Sequence, residues 1–358
     1  MRRPCEGRGR VSFVHSKTAT YGAKSLGSCL RRNDEACNRA VPVKILIVKT
    51  SSMGDVVHTM PAISEIAANI PNAQIDWLVE APFAALPAMH PAIRSVIPIA
   101  WRKWRKRLFA ADTRAALAAA RAQLQAEQYD LIIDFQGLLK SALWAAQARG
   151  PRAGYDWGSA REPLASLFYA KRASVAGNQH AVDRSRQLAA AHLNYTVSGA
   201  QRFGLRAPDA RWTPQAPRYA LLISGASRAE KLWPESSWQA IAATLTAQGF
   251  ALVWLWGSAD EGERAKRLAA TAGGEVPPFL TVQDASAVLA GAAMCVGLDT
   301  GFTHIAAAFG VGTVGIYCDH DPGLVGIVGG GYVASTGGRR IVPTVADVQA
   351  LLPRSPVI

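Results

Sequence analysis

No apolar run in the chain approaches the ~18 to 20 residues that a helix needs to cross a bilayer. The longest candidate, around Phe250–Trp256, ends at once in Gly, Ser and charge, so a membrane-spanning class is set aside. Cysteine is scarce, with five among 358 residues (Cys5, Cys29, Cys37, Cys295 and Cys318), and no two of them stand at CxxC spacing. Neither a metal site nor a disulfide framework is indicated, and a reducing cytoplasm is the expected compartment. The first 42 residues lack the apolar core of a signal peptide and show neither helical nor strand periodicity. They are expected to form a disordered basic extension, with the cell's own start near Val43.

What is present is the composition of a globular protein, 49% apolar and 18% charged. The length suits two domains of roughly 150 residues each. The net charge of +13 is unevenly spread. Residues 1–42 hold nine Lys/Arg against three Asp/Glu, leaving 30 against 23 in the remainder. Within that remainder, Trp101-Arg102-Lys103-Trp104-Arg105-Lys106-Arg107 puts five cations and two indoles into seven residues. Such a run is either a solvated charge run or a receiver for an anionic partner: nucleic acid, an acidic membrane face, or an acidic sugar.

From Val43 onward short apolar runs alternate with amphipathic stretches. Strands are predicted at Lys44–Lys49, Gln74–Val79, Ser95–Ile99 and Leu131–Asp134, with helices at Asp55–Asn69 and Asp112–Gln128. Residues 196–218, rich in Gly, Pro and Arg, read as a connection between domains. A second alternation follows, with strands at Tyr219–Ser224, Ala251–Trp256, Met294–Leu298 and Thr313–Tyr317. The pattern predicts an α/β protein with two doubly wound Rossmann-like domains facing a cleft. In such sheets ligands bind beyond the carboxyl ends of the strands, so chemistry is sought there.

Four loops fit. Lys49-Thr50-Ser51-Ser52-Met53-Gly54-Asp55 follows the first strand and offers hydroxyls, a Gly and a carboxylate before a helix. It has neither GxxxxGK[ST] nor GxGxxG spacing. Asp55 there is either a helix cap or a cleft carboxylate. Ser224–Pro234 combines a Gly/Ser turn with Arg228 and Lys231, and can hold a pyrophosphate. Gly297–His304 brings Thr300 and Gly301 to a helix N-terminus, where N–H groups and the helix dipole attract phosphate. Asp299 is a cap or a sugar-hydroxyl acceptor, and His304 a packing residue or a catalyst. Trp256–Glu261 ends a strand with Glu261, a residue type that binds ribose hydroxyls.

Ile47–Pro61, Arg161–Tyr169, Lys231-Leu-Trp-Pro234 and Asp299-Thr-Gly-Phe-Thr-His304 together resemble glycosyltransferase family 9, and within it the lipopolysaccharide heptosyltransferases that add the first heptose. The likeness runs in order from about Val43 to the last helix. It implies the GT-B fold, with residues 43–200 as the acceptor-binding domain and 201–358 as the donor-binding domain, the last helix being able to pack back on the first. It implies transfer of heptose from ADP-L-glycero-β-D-manno-heptose to the first Kdo of Kdo2-lipid A, with inversion and without a metal. By match of position Asp55 is the general base. Ser227, Lys231, Thr300 and Gly301 hold the pyrophosphate, Glu261 the ribose and Asp299 a heptose hydroxyl, with His304 beside the phosphates. Ser51, Ser52, Arg102, Lys103, Arg105, Lys106, Arg107 and Arg161 are assigned to the acidic acceptor, and Trp101 and Trp104 to the membrane interface.

The expected setting is the cytoplasmic face of the inner membrane, as a peripheral protein, monomeric, without nucleic acid. Two departures from the family pattern stand out: the turn at Ser224-Gly225 lacks the usual His, and Cys318-Asp319-His320-Asp321-Pro322-Gly323 replaces Gly-Pro-Thr-Asp-Pro-Gly. The Gly-rich stretch Val328–Tyr332 is expected to be mobile. The rivals are a heptosyltransferase that adds the second heptose, a nucleotide-sugar epimerase built of two such lobes, and a basic nucleic-acid binder, although no recognisable module for the last is present.

Overall fold

The computed structural model describes residues 42–353. Of the expected basic extension at 1–42, residues 1–41 lie outside the described residues. The remainder is built of two all-parallel sheets, each wrapped in helices.

In the first lobe the strands are β1 (Lys44–Val48), β2 (Gln74–Glu80), β3 (Ile93–Ile99), β4 (Leu131–Asp134), β5 (Arg152–Tyr155) and β6 (Lys171–Ala173). Their order across the sheet is β3-β2-β1-β4-β5-β6. The helices are α1 (Met53–Asn69), α2 (Ala85–Ala88), α3 (Trp101–Trp104), α4 (Ala111–Gln125), α5 (Leu139–Ala145) and α6 (Ala181–Leu193). The second lobe has β7 (Tyr219–Ile223), β8 (Ala251–Trp254), β9 (Met294–Leu298), β10 (Thr313–Tyr317) and β11 (Val333–Gly337), in the order β11-β10-β9-β7-β8. Its helices are α7 (Glu235–Ala247), α8 (Ala259–Ala272), α9 (Val282–Ala290), α10 (Gly301–Ala308), α11 (Pro322–Val325) and α12 (Val345–Ala350).

The central strands are buried on both faces, which is why they read as unbroken apolar runs rather than alternations. Ile45–Val48, Tyr219–Ile223 and Met294–Leu298 are buried without exception. In each lobe the strand order reverses at one place, between β1 and β4 and between β7 and β9. A crevice opens at the carboxyl ends of the strands where the order reverses. Those two places carry the loops picked out by the sequence.

The lobes meet through helices. α1 carries Val56, Val57, Met60, Ile63 and Ile66 at helical spacing, all buried. It packs on α6 of its own lobe and on α10 of the other. At the seam Gly301, the first residue of α10, lies where an added Cβ would come within 2.5 Å of the Met53 side chain, so only glycine allows this approach. The second lobe is centred on Trp238, which packs edge-on to Trp233 and Trp254.

Two expectations meet a different arrangement. α12 packs on α7, with Val348 in the cluster of Trp233 and Trp238, so the last described helix stays on its own lobe. The connecting segment keeps to the first lobe beyond residue 200: Phe203 is buried there, and the Arg206 N–H donates to the Met89 carbonyl at 2.9 Å. In the Gly-rich stretch, a Cβ on Gly329 or Gly331 would overlap the carbonyl of Ala307 or Gly310, so these glycines have a packing reason. No helix among the described residues is long and apolar enough to cross a membrane.

Candidate active site

The loops after β1 and β4 are tied together at the first reversal of strand order. Gln136 accepts from the Thr50 N–H at 2.8 Å and the Thr50 hydroxyl at 2.6 Å. Its amide donates to the Ser51 carbonyl at 2.8 Å. Buried Asp134 anchors the same loop, accepting from Ser141 and Tyr169 hydroxyls at 2.7 Å each. Burial is the main influence on Asp134 and raises its pKa.

Asp55 stands on this platform in the first turn of α1, where the helix dipole favours a carboxylate. Its Oδ2 accepts from both the N–H and the hydroxyl of Ser52 at 2.8 Å. Its Oδ1 lies 3.8 Å from Nζ of Lys49, itself buried and donating to the Phe135 carbonyl at 3.1 Å. Burial pushes the Asp55 carboxyl up, but the Lys49 charge and the Ser52 hydrogen bonds outweigh it and bring the pKa to about 2. Burial moves Lys49 the other way, downward. The N-cap of α1 is Ser52, and Asp55 stands at the third helical position: one of its oxygens is committed to Ser52, while the other faces Lys49 only at long range.

Facing it, the second reversal of strand order carries Asp299 and Lys231. Lys231 Nζ donates to Asp299 Oδ2 at 2.6 Å, and both side chains are about 12% exposed. The same oxygen accepts from His320 Nδ1 at 2.6 Å, and Oδ1 lies 3.5 Å from His304 Nε2. Burial raises the Asp299 carboxyl, yet the bonds from His304, Lys231 and His320 leave it well below the usual carboxylate range. Thr300 caps α10, and Gly301 opens it. Glu261 accepts from the Gly257 N–H at 2.8 Å and fills the space beside Gly225, joining the loops after β7 and β8. Ser227 is exposed, and Arg228 pairs with Asp319 at 2.7 Å.

The two halves touch through imidazoles. His58 of α1 and His304 of α10 approach at 3.1 Å, Nε2 to Nδ1. In the tautomer that directs Nε2–H of His304 at Asp299, its Nδ1 is left to accept and His58 Nε2–H donates. His180 packs edge-on to His58 with ring centroids 5.2 Å apart, and its Nε2 reaches the Gly326 carbonyl of the second lobe at 3.0 Å. Burial, then the neighbouring imidazoles His304 and His180, hold His58 far below the ordinary histidine value.

The basic run forms α3 and the turn after it. Arg102, Lys103, Arg105, Lys106 and Arg107 are exposed, and Arg161 is exposed on the loop after β5. Trp101 and Trp104 take another course from the one expected. Both are partly buried, each 6.2 Å from the Trp144 ring of α5, because indoles next to an apolar sheet cover gain more by packing than by facing out. Ser52, assigned to the acceptor, spends its hydroxyl proton on Asp55.

Sequence reasoning missed Lys140. Its Nζ donates to Ser51 Oγ at 3.2 Å, and burial followed by repulsion from Arg102 lowers its pKa, with Arg105 and Arg161 adding to the effect. Lys140 thus lies beside Ser51, with Arg102, Arg105 and Arg161 near enough to repel its charge. Lys49, His58, His180 and His320 were missed as well. His320 sits in the segment that departs from the family pattern, and that departure places an imidazole on Asp299.

Comparison with known proteins identifies the family. The model of glycosyltransferase family 9 (heptosyltransferase) matches residues 117–346. Lipopolysaccharide heptosyltransferase 1 of Escherichia coli (strain K12) is 43% identical over 293 residues, 79% of this chain and 90% of that protein. The protein of that name from Pseudomonas aeruginosa (strain PAO1) is 44% identical over 292 residues, 80% and 82% of the two chains. The structure of E. coli heptosyltransferase WaaC with ADP superposes with a TM-score of 0.79 at 40% identity, covering 86% of this chain and 98% of that one. E. coli ADP-heptose lps heptosyltransferase II shares the fold at 19% identity, with a TM-score of 0.64 over 88% and 95%.

Proposed function

The chain belongs to glycosyltransferase family 9, the heptosyltransferases, and from that premise we propose that it moves L-glycero-D-manno-heptose from ADP-heptose to the first Kdo of Kdo2-lipid A in lipopolysaccharide inner-core synthesis. The observation that carries this reading is the pairing of Asp55 on one lobe with Lys231–Asp299 on the other, at the two facing reversals of strand order. A single displacement needs both: a base for the acceptor hydroxyl on one wall, and a cation for the leaving diphosphate on the other.

In the reaction the acceptor oxygen attacks the anomeric carbon, the bond from that carbon to the β-phosphate oxygen breaks, and configuration inverts. Asp55 takes the acceptor proton. An ionised carboxylate of low pKa is a weak base, so it takes that proton late, when the new bond already acidifies the hydroxyl. The charge that grows on ADP is met by Lys231, with the hydroxyls of Ser227 and Thr300 and the N–H of Gly301 at the α10 terminus. Asp299 orients Lys231 and His304 and faces a heptose hydroxyl, while Glu261 holds the ribose. No metal has a part in this scheme.

Lys140, Arg102, Arg105 and Arg161, with Lys103, Lys106 and Arg107 further out, receive the carboxylate and phosphates of the acceptor. The enzyme acts as a peripheral protein on the cytoplasmic face of the inner membrane, where a lipid-anchored acceptor is presented. The high identity to heptosyltransferase 1 proteins favours the first-heptose reaction over the second. Mass and anomeric analysis of the product tests this: Kdo2-lipid A gains one heptose with inverted configuration, whereas preference for an already heptosylated acceptor would overturn the reading.

A further inference from the structure

Five large apolar side chains of the first lobe stand in solvent close to the basic run. Phe109 is 92% exposed, Leu167 61%, Leu164 53%, Leu143 47% and Leu108 40%. Three short elements carry them, and contacts between those elements place them together. α3 rests its two indoles on Trp144 of α5, and α5 packs on the 3-10 helix Pro163–Phe168 through Ala142 and Ala165. Leu164 and Leu167 lie three residues apart, which in a 3-10 helix is one full turn, so they share a face.

On α5, Ser141, Ala142, Trp144 and Ala145 are buried. At about 100° per residue Leu143 therefore points away from the core, between the α3 side and the 3-10 helix side. Leu108 and Phe109 follow directly on Arg107. The result is an apolar strip with a row of cations along one border. Among the described residues, Arg102, Lys103, Arg105 and Lys106 make no ion pair, and Arg107 only reaches exposed Asp112 at 4.0 Å.

We propose that this strip is a membrane-docking surface whose occupant is an anionic lipid bilayer. The apolar tips enter the acyl boundary while the adjoining Lys and Arg side chains stay at the headgroup level and meet the lipid phosphates. Charge complementarity selects the bilayer: a strip bordered by cations of which only Arg107 reaches a carboxylate, and that at 4.0 Å, fits a dense, laterally mobile layer of negative charge. Trp101 and Trp104 act as the buttress that holds the basic turn against α5, not as the inserted groups. Lys140 links the surface to the candidate active site through its bond to Ser51, so docking brings the mouth beside Asp55 to the lipid surface. That consequence rests on the proposed acceptor being lipid-anchored; the docking surface itself does not.

The test is co-sedimentation of the full chain with vesicles of phosphatidylglycerol and phosphatidylcholine, and of phosphatidylcholine alone. The variants are Leu108→Ser/Phe109→Ser and Leu164→Ser/Leu167→Ser, with Phe279→Ser, exposed on the second lobe, as control. The wild type and the control are expected to bind the anionic vesicles, and each double variant to bind about tenfold more weakly or worse. Turnover of the deacylated, soluble acceptor is expected to be unchanged in the variants, while turnover of acceptor embedded in vesicles falls.

Equal vesicle binding by all four proteins would overturn the proposal, leaving adhesion to the basic segments alone. A wild-type dimer that the double variants dissolve would overturn it too, assigning the strip to a second copy. Loss of vesicle binding in the variants, with no turnover of soluble acceptor by the wild type, would uphold the surface and refute the proposed reaction instead.

Discussion

His58 of the first lobe meets His304 of the second at 3.1 Å, the one ring edge-on to the other, with centroids 4.7 Å apart. Both imidazoles are buried. A proton on His58 would put a charge in this seam, beside His304 and His180. Folding therefore excludes it, and His58 is held far down, first by burial and then by those neighbours.

Acid stability follows. Burial also lowers His90, to about 4, and lowers His180 and His192. In the unfolded chain these groups bind protons below about 6.5, and in the folded chain only at lower pH. Stability is thus complete above the unfolded value and falls as the pH drops through it, by up to about 1.4 kcal/mol per pH unit for each proton taken up. Denaturant midpoints measured from pH 7.5 to 5 are expected to decline. A midpoint that rises or stays level over that range would contradict the buried neutral imidazoles.

Lys49 sets the acid limb of activity. Its charge is the largest influence holding Asp55 down against burial. Replacing it by Met leaves the desolvated carboxyl without that charge, so the Asp55 pKa rises. As the proposed base Asp55 has to be ionised, so activity is expected to disappear as the pH falls through its pKa. In Lys49→Met the acid limb of the kcat/KM profile is expected to move to higher pH. An unshifted limb would mean that Lys49 does not tune Asp55.

Lys231 should matter most where charge grows on the leaving group. Lys231→Met is expected to lower kcat by roughly 10²- to 10³-fold, the range for loss of one such stabilising donor. KM for the acceptor should change little. Because a lysine meets that charge, turnover in EDTA should equal turnover with added magnesium. Loss of activity in EDTA would count against a reaction run by Lys231 alone.

Gly301 permits the seam. In Gly301→Ala the new methyl overlaps Met53 down to its Cβ, which cannot swing away. A stability loss of about 1–3 kcal/mol is expected, although Ala is the better helix former. Gly54→Ala meets only the edge of His304, at 3.1 Å, and should cost less. If Gly301→Ala is the more stable of the two, the lobes do not pack as described.

Much of this was legible in the sequence because parallel strands buried on both faces appear as apolar runs, and sites follow their ends. Lys231 and Asp299 stand in the segments that follow strands, and Asp55 and Glu261 in the first turns of the helices those segments lead into. The strands Arg152–Tyr155 and Lys171–Ala173 were not legible, since short strands with Arg, Gly and Lys carry no apolar run. Lys140 was missed because its partner Ser51 stands 89 residues earlier in the chain. His180 and His320 were missed because their partners, His58 and Asp299, come from elsewhere in the chain. Trp101 and Trp104 misled for a related reason: their partner Trp144 stands 40 residues away, and without it they read as exposed.

The central claim is that Asp55 removes the acceptor proton. It is tested most directly by ADP release from ADP-heptose, with and without deacylated Kdo2-lipid A, in wild type and Asp55→Ala. Release that requires the acceptor and is abolished in Asp55→Ala, while ADP binding persists, is the predicted result. Acceptor-dependent release by Asp55→Ala at the wild-type rate would contradict it.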